Sequence, residues 1–152
     1  MAPAVPHHRD HRLPAGHAVC LGLAEAARNQ ALAIAKRRLA TEDVPSLAGR
    51  TENALCAARL AHEHMPAAVD RNAPDAGTIN QAMMGKAMLA ENAIRRVERA
   101  MELAGGAAFQ RGAGLERCFR DIQGARCHPL QAGPPARYAG ATALGMDVAR
   151  IF

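Results

Sequence analysis

Apolar residues recur every three or four positions along most of this 152-residue chain, the spacing that gathers them on one face of an α-helix. A first helix is predicted over 17–39, with Val19, Leu23, Ala27, Ala31 and Ile34 as its stripe. Lys36, Arg37 and Arg38 crowd its last turn, where the helix dipole favours cations. A polar link with Pro45 and Gly49 follows. The second helix is expected from about Arg50, with Leu55, Ala58, Ala61, Met65 and Val69 on one face. Pro66 interrupts it and should kink it or end it early. Asn72 to Gly77 reads as a turn, and Thr78 with Gln81 as a capping box that opens the third helix.

That third helix has the clearest period. Met83, Ala90, Val97 and Ala104 repeat every seven residues, and Ala87, Ile94 and Met101 fill the intervals, a bundle seam. Gly105-Gly106 should stop it as a C-terminal glycine cap. A short helix over 115–123 should turn Leu115, Phe119 and Ile122 inward, with Glu116–Arg120 and Arg117–Asp121 pairs on its surface. A last helix follows Pro134-Pro135 through Tyr138 and Leu144. The expected fold is all-α, an up-and-down four-helix bundle over 16–152. Residues 1–15, with Pro3, Pro6, Pro14, His7, His8 and His11 ahead of any apolar period, form a disordered arm; no rigid element there would hold a metal, and none is expected.

Composition supports helices. Alanine and leucine dominate the apolar half, with only three Phe, one Tyr and no Trp; alanine loses no side-chain entropy in a helix, and β-sheets favour the residues scarce here. The net charge of +5 hints at an anionic partner, but the arginines are spread and interleaved with acids, as from Glu91 to Arg99. They read as solvated helix faces, not as a nucleic-acid surface, which would want a basic stripe and stacking aromatics. Cys20, Cys56, Cys118 and Cys127 lack zinc spacing, and those in helices should pack as small hydrophobes. No disulfide is demanded, no apolar run reaches the ~18 residues of a membrane span, and no secretory leader is recognised. A cytoplasmic location is the expectation.

One ordered combination carries more information. Met101-Glu102-Leu103-Ala104-Gly105-Gly106-Ala107-Ala108-Phe109, then Leu115-Glu116-Arg117-Cys118-Phe119-Arg120-Asp121, resembles the acyl-CoA dehydrogenase family: a long helix ending in a glycine pair, an aromatic, a short gap and an Arg-Asp helix. Ala125 to Leu130 and Tyr138 to Gly145 continue the likeness, which covers roughly 17–150. The resemblance implies the C-terminal helical domain of a flavoprotein that oxidises the α,β bond of an acyl-CoA, without the N-terminal and β domains of the complete enzyme. It implies FAD as cofactor, and homo-oligomerisation or complementation of the missing domains. Gly105 and Gly106 match the pair whose backbone lies near a neighbouring subunit's flavin, though a cap alone would also explain them. Glu102 stands where many members have a cofactor-contacting glutamine. Arg37 or Arg38 lies near a flavin-contacting arginine, and Arg120 with Asp121 matches a structural pair. Pro129 takes the position of the family's usual glutamate base, leaving His128 as candidate acid/base, its ordinary pKa being near neutrality; the alternative is a loop histidine without catalytic duty. Two further readings stay open: a non-catalytic helical assembly module, and part of a flavin monooxygenase of the same fold. The isolated chain is expected to be inactive.

Overall fold

The computed structural model describes residues 12–38, 43–69, 75–127 and 131–148. Among the described residues are five α-helices, α1 (Arg12–Ala35), α2 (Asp43–Val69), α3 (Ala76–Ala104), α4 (Leu115–Ile122) and α5 (Gly133–Ala143), with 3-10 turns following α1, α3 and α4. No strand occurs among the described residues. The architecture is the expected all-α bundle. Ion pairs give its direction: Arg28–Glu52 and Glu25–Arg59 join α1 to α2 in opposite sequence order, and Glu52–Arg96 and Arg50–Glu102 do the same for α2 and α3. The three long helices therefore run up, down and up, and α3 is central, packed against α1, α2, α4 and α5.

Helix boundaries moved for identifiable reasons. Helix α1 begins at Arg12, within the stretch expected to belong to the arm, and α2 begins at Asp43, seven residues before Arg50. Pro14 and Pro45 sit in the first turns, where a missing N–H breaks no intrahelical bond. Helix α2 also runs past Pro66 to Val69 instead of ending there. The cap of α3 is Asp75, not Thr78: the Thr78 N–H donates to Asp75 Oδ1 at 2.7 Å. Backbone and hydroxyl donation from Thr78 holds the Asp75 carboxyl below its ordinary value. The rest of the arm, 1–11, lies outside the described residues.

The core is built from small residues. Ala24, Ala27, Ala31 and Ala35 make the buried stripe of α1, while Val19, expected in that stripe, is 65% exposed. Leu55, Ala58, Ala61 and Met65 are buried on α2 as their spacing predicted. On α4, Leu115, Cys118 and Ile122 are buried; Phe119 is exposed instead of facing inward. Both expected surface pairs of α4 form, at 3.4 Å for Arg120–Glu116 and 3.6 Å for Arg117–Asp121. Cys56, although helical, is exposed.

Helix α3 is buried on two seams. Ala90, Ile94, Val97 and Ala104 of the sequence-predicted seam are buried. A second heptad runs beside it through Ala82, Lys86, Leu89, Ala93, Arg96, Ala100 and Leu103, all buried. Gly85 flanks this seam where α3 meets α2: a Cβ there would lie 2.6 Å from Met65 Cγ and 3.4 Å from the Ala61 carbonyl oxygen. A side chain at Gly85 would crowd that approach and force Met65 to shift. Among the described residues no helix is long and apolar enough to cross a membrane.

Candidate functional site

The up-down-up order brings the end of α1, the start of α2 and the end of α3 to one end of the bundle. The sequence-predicted Arg37, Glu102, Gly105 and Gly106 belong there. Helix α3 stops because Gly105 adopts φ 62°, ψ −146°, and its N–H donates to the carbonyls of Met101 and Glu102. This region of backbone space is essentially closed to residues with a Cβ. The capping duty thus falls on Gly105 alone. Gly106 is exposed, is absent from the positive-φ glycines, and a Cβ on it would meet nothing within 4 Å. A 3-10 turn, Gly105–Phe109, then carries Phe109 outward with 75% of its surface exposed. Open backbone beside an exposed ring leaves room for a flat cofactor to approach, so these residues fit a flavin contact supplied from outside the chain.

Glu102 is oriented by arginines within the chain. Its carboxylate accepts from Arg99 Nη1 at 2.7 Å and lies 3.9 Å from Arg50 Nη2. Arg37 is exposed on the turn Lys36–Arg38; the side chain of Arg38 and the whole of His128 lie outside the described residues. Arg120 and Asp121 pair on the surface at 3.4 Å. Among the described residues no group of three His, Cys, Asp or Glu is arranged to hold a metal.

Sequence reasoning missed the buried cations. Arg96 is fully buried, not part of a solvated face, and its Nη2 donates to Glu52 Oε1 at 3.4 Å. Its Nε and Nη1 have no hydrogen-bond partner among the described residues. Burial pushes the Arg96 guanidinium down to about 10, against the pull of Glu52, so it stays charged at neutral pH. Glu52 is shared with Arg28, whose Nε donates to the same oxygen at 2.7 Å. Partial burial would raise the Glu52 carboxyl, but the Arg28 hydrogen bond and then the Arg96 charge outweigh it and hold the group below its ordinary value. Lys86 is likewise buried, its ammonium pushed down by desolvation against the opposing influence of Cys20 and Cys127. A second missed feature is a groove of about 270 Å³ between α2 and α3, lined by Arg50, Asn53, Ala54, Asn92, Arg95 and Arg99. Its side chains recur at three- and four-residue steps on both helices, a signal hidden because charged residues at that spacing usually mark a plain solvated face.

The family model described as acyl-CoA dehydrogenase, C-terminal domain, matches residues 12–128. No curated protein matches the chain. Among solved structures, XiaF from Streptomyces sp. in complex with FADH2 and glycerol is similar with a TM-score of 0.79 and 20% identity, over 90% of this chain and 39% of that one. KijD3 in complex with dTDP gives a TM-score of 0.75 and 23% identity over 94% of this chain and 42% of its own. KijD3 with FMN and a dTDP-linked amino-keto sugar gives 0.74 and 23%, over 97% and 41%. The chain therefore spans about two fifths of the length of the solved proteins it matches.

Proposed function

Since the chain belongs to the acyl-CoA dehydrogenase family through its C-terminal domain, we propose that it is the flavin-contacting and oligomerising part of an acyl-CoA dehydrogenase-like flavoprotein acting on the CH–CH group of an acyl-CoA. The observation that carries this reading is the division of labour in the glycine pair. Gly105 closes the helix, while a Cβ on Gly106 would meet nothing within 4 Å among the described residues. A bare backbone beside exposed Phe109 is what close approach of a planar cofactor needs. The flavin ligands in the XiaF and KijD3 structures support a flavin, and the form we propose is FAD. The cofactor would supply the hydride acceptor; this chain's part is to bind and orient it. Exposed Leu60, Met84 and Met88, beside the close α2–α3 crossing at Gly85, support association with a second copy, because clustered apolar surface marks interaction sites.

Gly106→Ala tests the reading in a chimera that joins this chain to the first two domains of a full-length relative. Its melting temperature should stay unchanged, since the new methyl meets nothing, whereas Gly105→Ala should destabilise the fold by about 1–3 kcal/mol. FAD affinity should fall for Gly106→Ala; equal affinities in parent and variant would leave Gly106 as plain surface and remove the flavin contact. Turnover of an acyl-CoA panel by the same chimera, with an artificial electron acceptor, tests the substrate class. The chain alone should show none.

A further inference from the structure

Arg96 is fully buried where α3 meets Glu52 of α2, the carboxylate that also holds Arg28 of α1. A guanidinium carries five N–H donors. Nη2 of Arg96 donates to Glu52 Oε1 across a long 3.4 Å, whereas Nε and Nη1 are buried without a hydrogen-bond partner among the described residues. The flanking positions supply no acceptor. Arg96 lies between Ala93 and Ala100 on its own seam, and the buried stripe of α1 at this level is Ala27 and Ala31. Alanine has no side-chain oxygen, and helix carbonyls are committed to their own ladders. Thr51, buried next to Glu52 on α2, turns its hydroxyl to the Leu47 carbonyl, donating at 2.6 Å.

The charges at this junction do not balance. Arg28 Nε donates to the same Glu52 oxygen at 2.7 Å and so holds it more closely than Arg96 does. Arg59 and Glu25 pair with each other at 2.8 Å and cancel. Two guanidiniums therefore share one carboxylate, which leaves one positive charge over. The Glu52 side chain is 43% exposed and the Arg96 side chain is 0% exposed, so the surplus falls on the member least able to use solvent. A buried charge is costly unless it is paired. An internal water would satisfy an N–H donor but leave the charge; an anion answers both. Nε–H and the Nη1 hydrogens open toward different edges of the planar group, and both nitrogens are shut off from solvent, which favours a monatomic ion at one edge.

We propose that the junction of α1, α2 and α3 holds a single halide ion, chloride under ordinary conditions, hydrogen-bonded to Nε or Nη1 of Arg96 and completing the charge balance of Arg28, Glu52 and Arg96. The site lies about 13 Å along α3 from Gly105, in the interior of the bundle, and does not depend on a flavin at Gly106.

The test has a crystallographic and a solution arm. Crystals of the full chain grown in sodium bromide should show one anomalous peak in contact with Arg96 Nε or Nη1. In solution, unfolding is followed as chloride replaces the bulky anion gluconate at constant ionic strength. The folding constant should rise with chloride, approaching tenfold for each tenfold increase above the dissociation constant. Arg96→Met should remove that dependence whatever its own stability, and Arg117→Met on α4 should keep it. Glu52→Gln, which takes away the competing carboxylate, should shift the dependence several-fold toward lower chloride, a gain that damaged folding cannot mimic. Water instead of bromide at both edges, a parent indifferent to chloride, or an unchanged dependence in Arg96→Met would overturn the proposal. So would a bromide at Arg96 with no chloride dependence in solution, which would mean an adventitious ion only.

Discussion

The two seams of α3 have the same period and opposite legibility. One, through Ala90, Ile94, Val97 and Ala104, is apolar at every buried position and declares itself in the sequence. The other, through Lys86, Leu89, Ala93, Arg96, Ala100 and Leu103, is equally buried yet carries two cations, and Gly85 flanks it. Binary patterning reads residue type, so a heptad containing Lys and Arg looks like surface. Their long methylene stems pack like apolar side chains while the charged head needs a partner. Glu52 supplies it for Arg96. A central helix has two faces to bury, and a bundle with so few aromatic residues fills the second with what α3 offers.

The sharpest break in this comparison comes from Leu89→Ala. Leu89 is fully buried, and truncating such a leucine costs about 2–5 kcal/mol. Chemical denaturation showing a loss under about 1 kcal/mol, the scale of an ordinary surface change, would demote the second seam to surface.

The Glu52–Arg96 pair should respond asymmetrically. Glu52→Ala leaves Arg96 buried and unpaired. The expected loss is about 2 kcal/mol, below the 3–5 of fully buried pairs, because the Glu52 side chain is still 43% exposed. Arg96→Met, which removes the charge and keeps the stem volume, should stay within about 1 kcal/mol of the parent. Equal losses would mean that the pair acts as a unit. The folded-state carboxyl of Glu52 is lowered from its ordinary 4.5, so the folded protein binds its proton less readily than the unfolded chain. Its stabilisation is present above pH 4.5 and is lost as pH falls through the folded-state value. The stability gap between parent and Glu52→Gln should therefore close in acid; a gap constant with pH would remove the charge from the explanation.

Gly85→Ala gives the smallest effect and the most local one. Alanine is the better helix former by about 1 kcal/mol, but the new Cβ would sit 2.6 Å from Met65 Cγ. Overpacking of about 1–3 kcal/mol should win, for a net loss of about 1 kcal/mol. A rise in melting temperature would show that α2 and α3 can move apart freely there.

The candidate site was legible in part. Glycine chemistry at the end of a periodic helix located Gly105 and Gly106, but which of them takes positive φ depends on the backbone path after Ala104. The arginine groove was not legible. Arg50 and Arg99 are 49 residues apart in sequence and become neighbours of one carboxylate only through the antiparallel packing of α2 on α3.

Local propensity and period determined by themselves that this chain is helical, where α3 and α4 lie, and that Leu55, Ala58, Ala61 and Met65 of α2 enter the core, because those features depend on neighbours three and four residues away. Tertiary packing decided the rest: that Val19 and Phe119 stay outside, that Arg96 and Lys86 go in, that a side chain at Gly85 would crowd Met65, and that Glu102 answers to arginines of two helices. These outcomes depend on which faces α1, α2 and α3 turn to one another, and on the charges that must then find partners away from water.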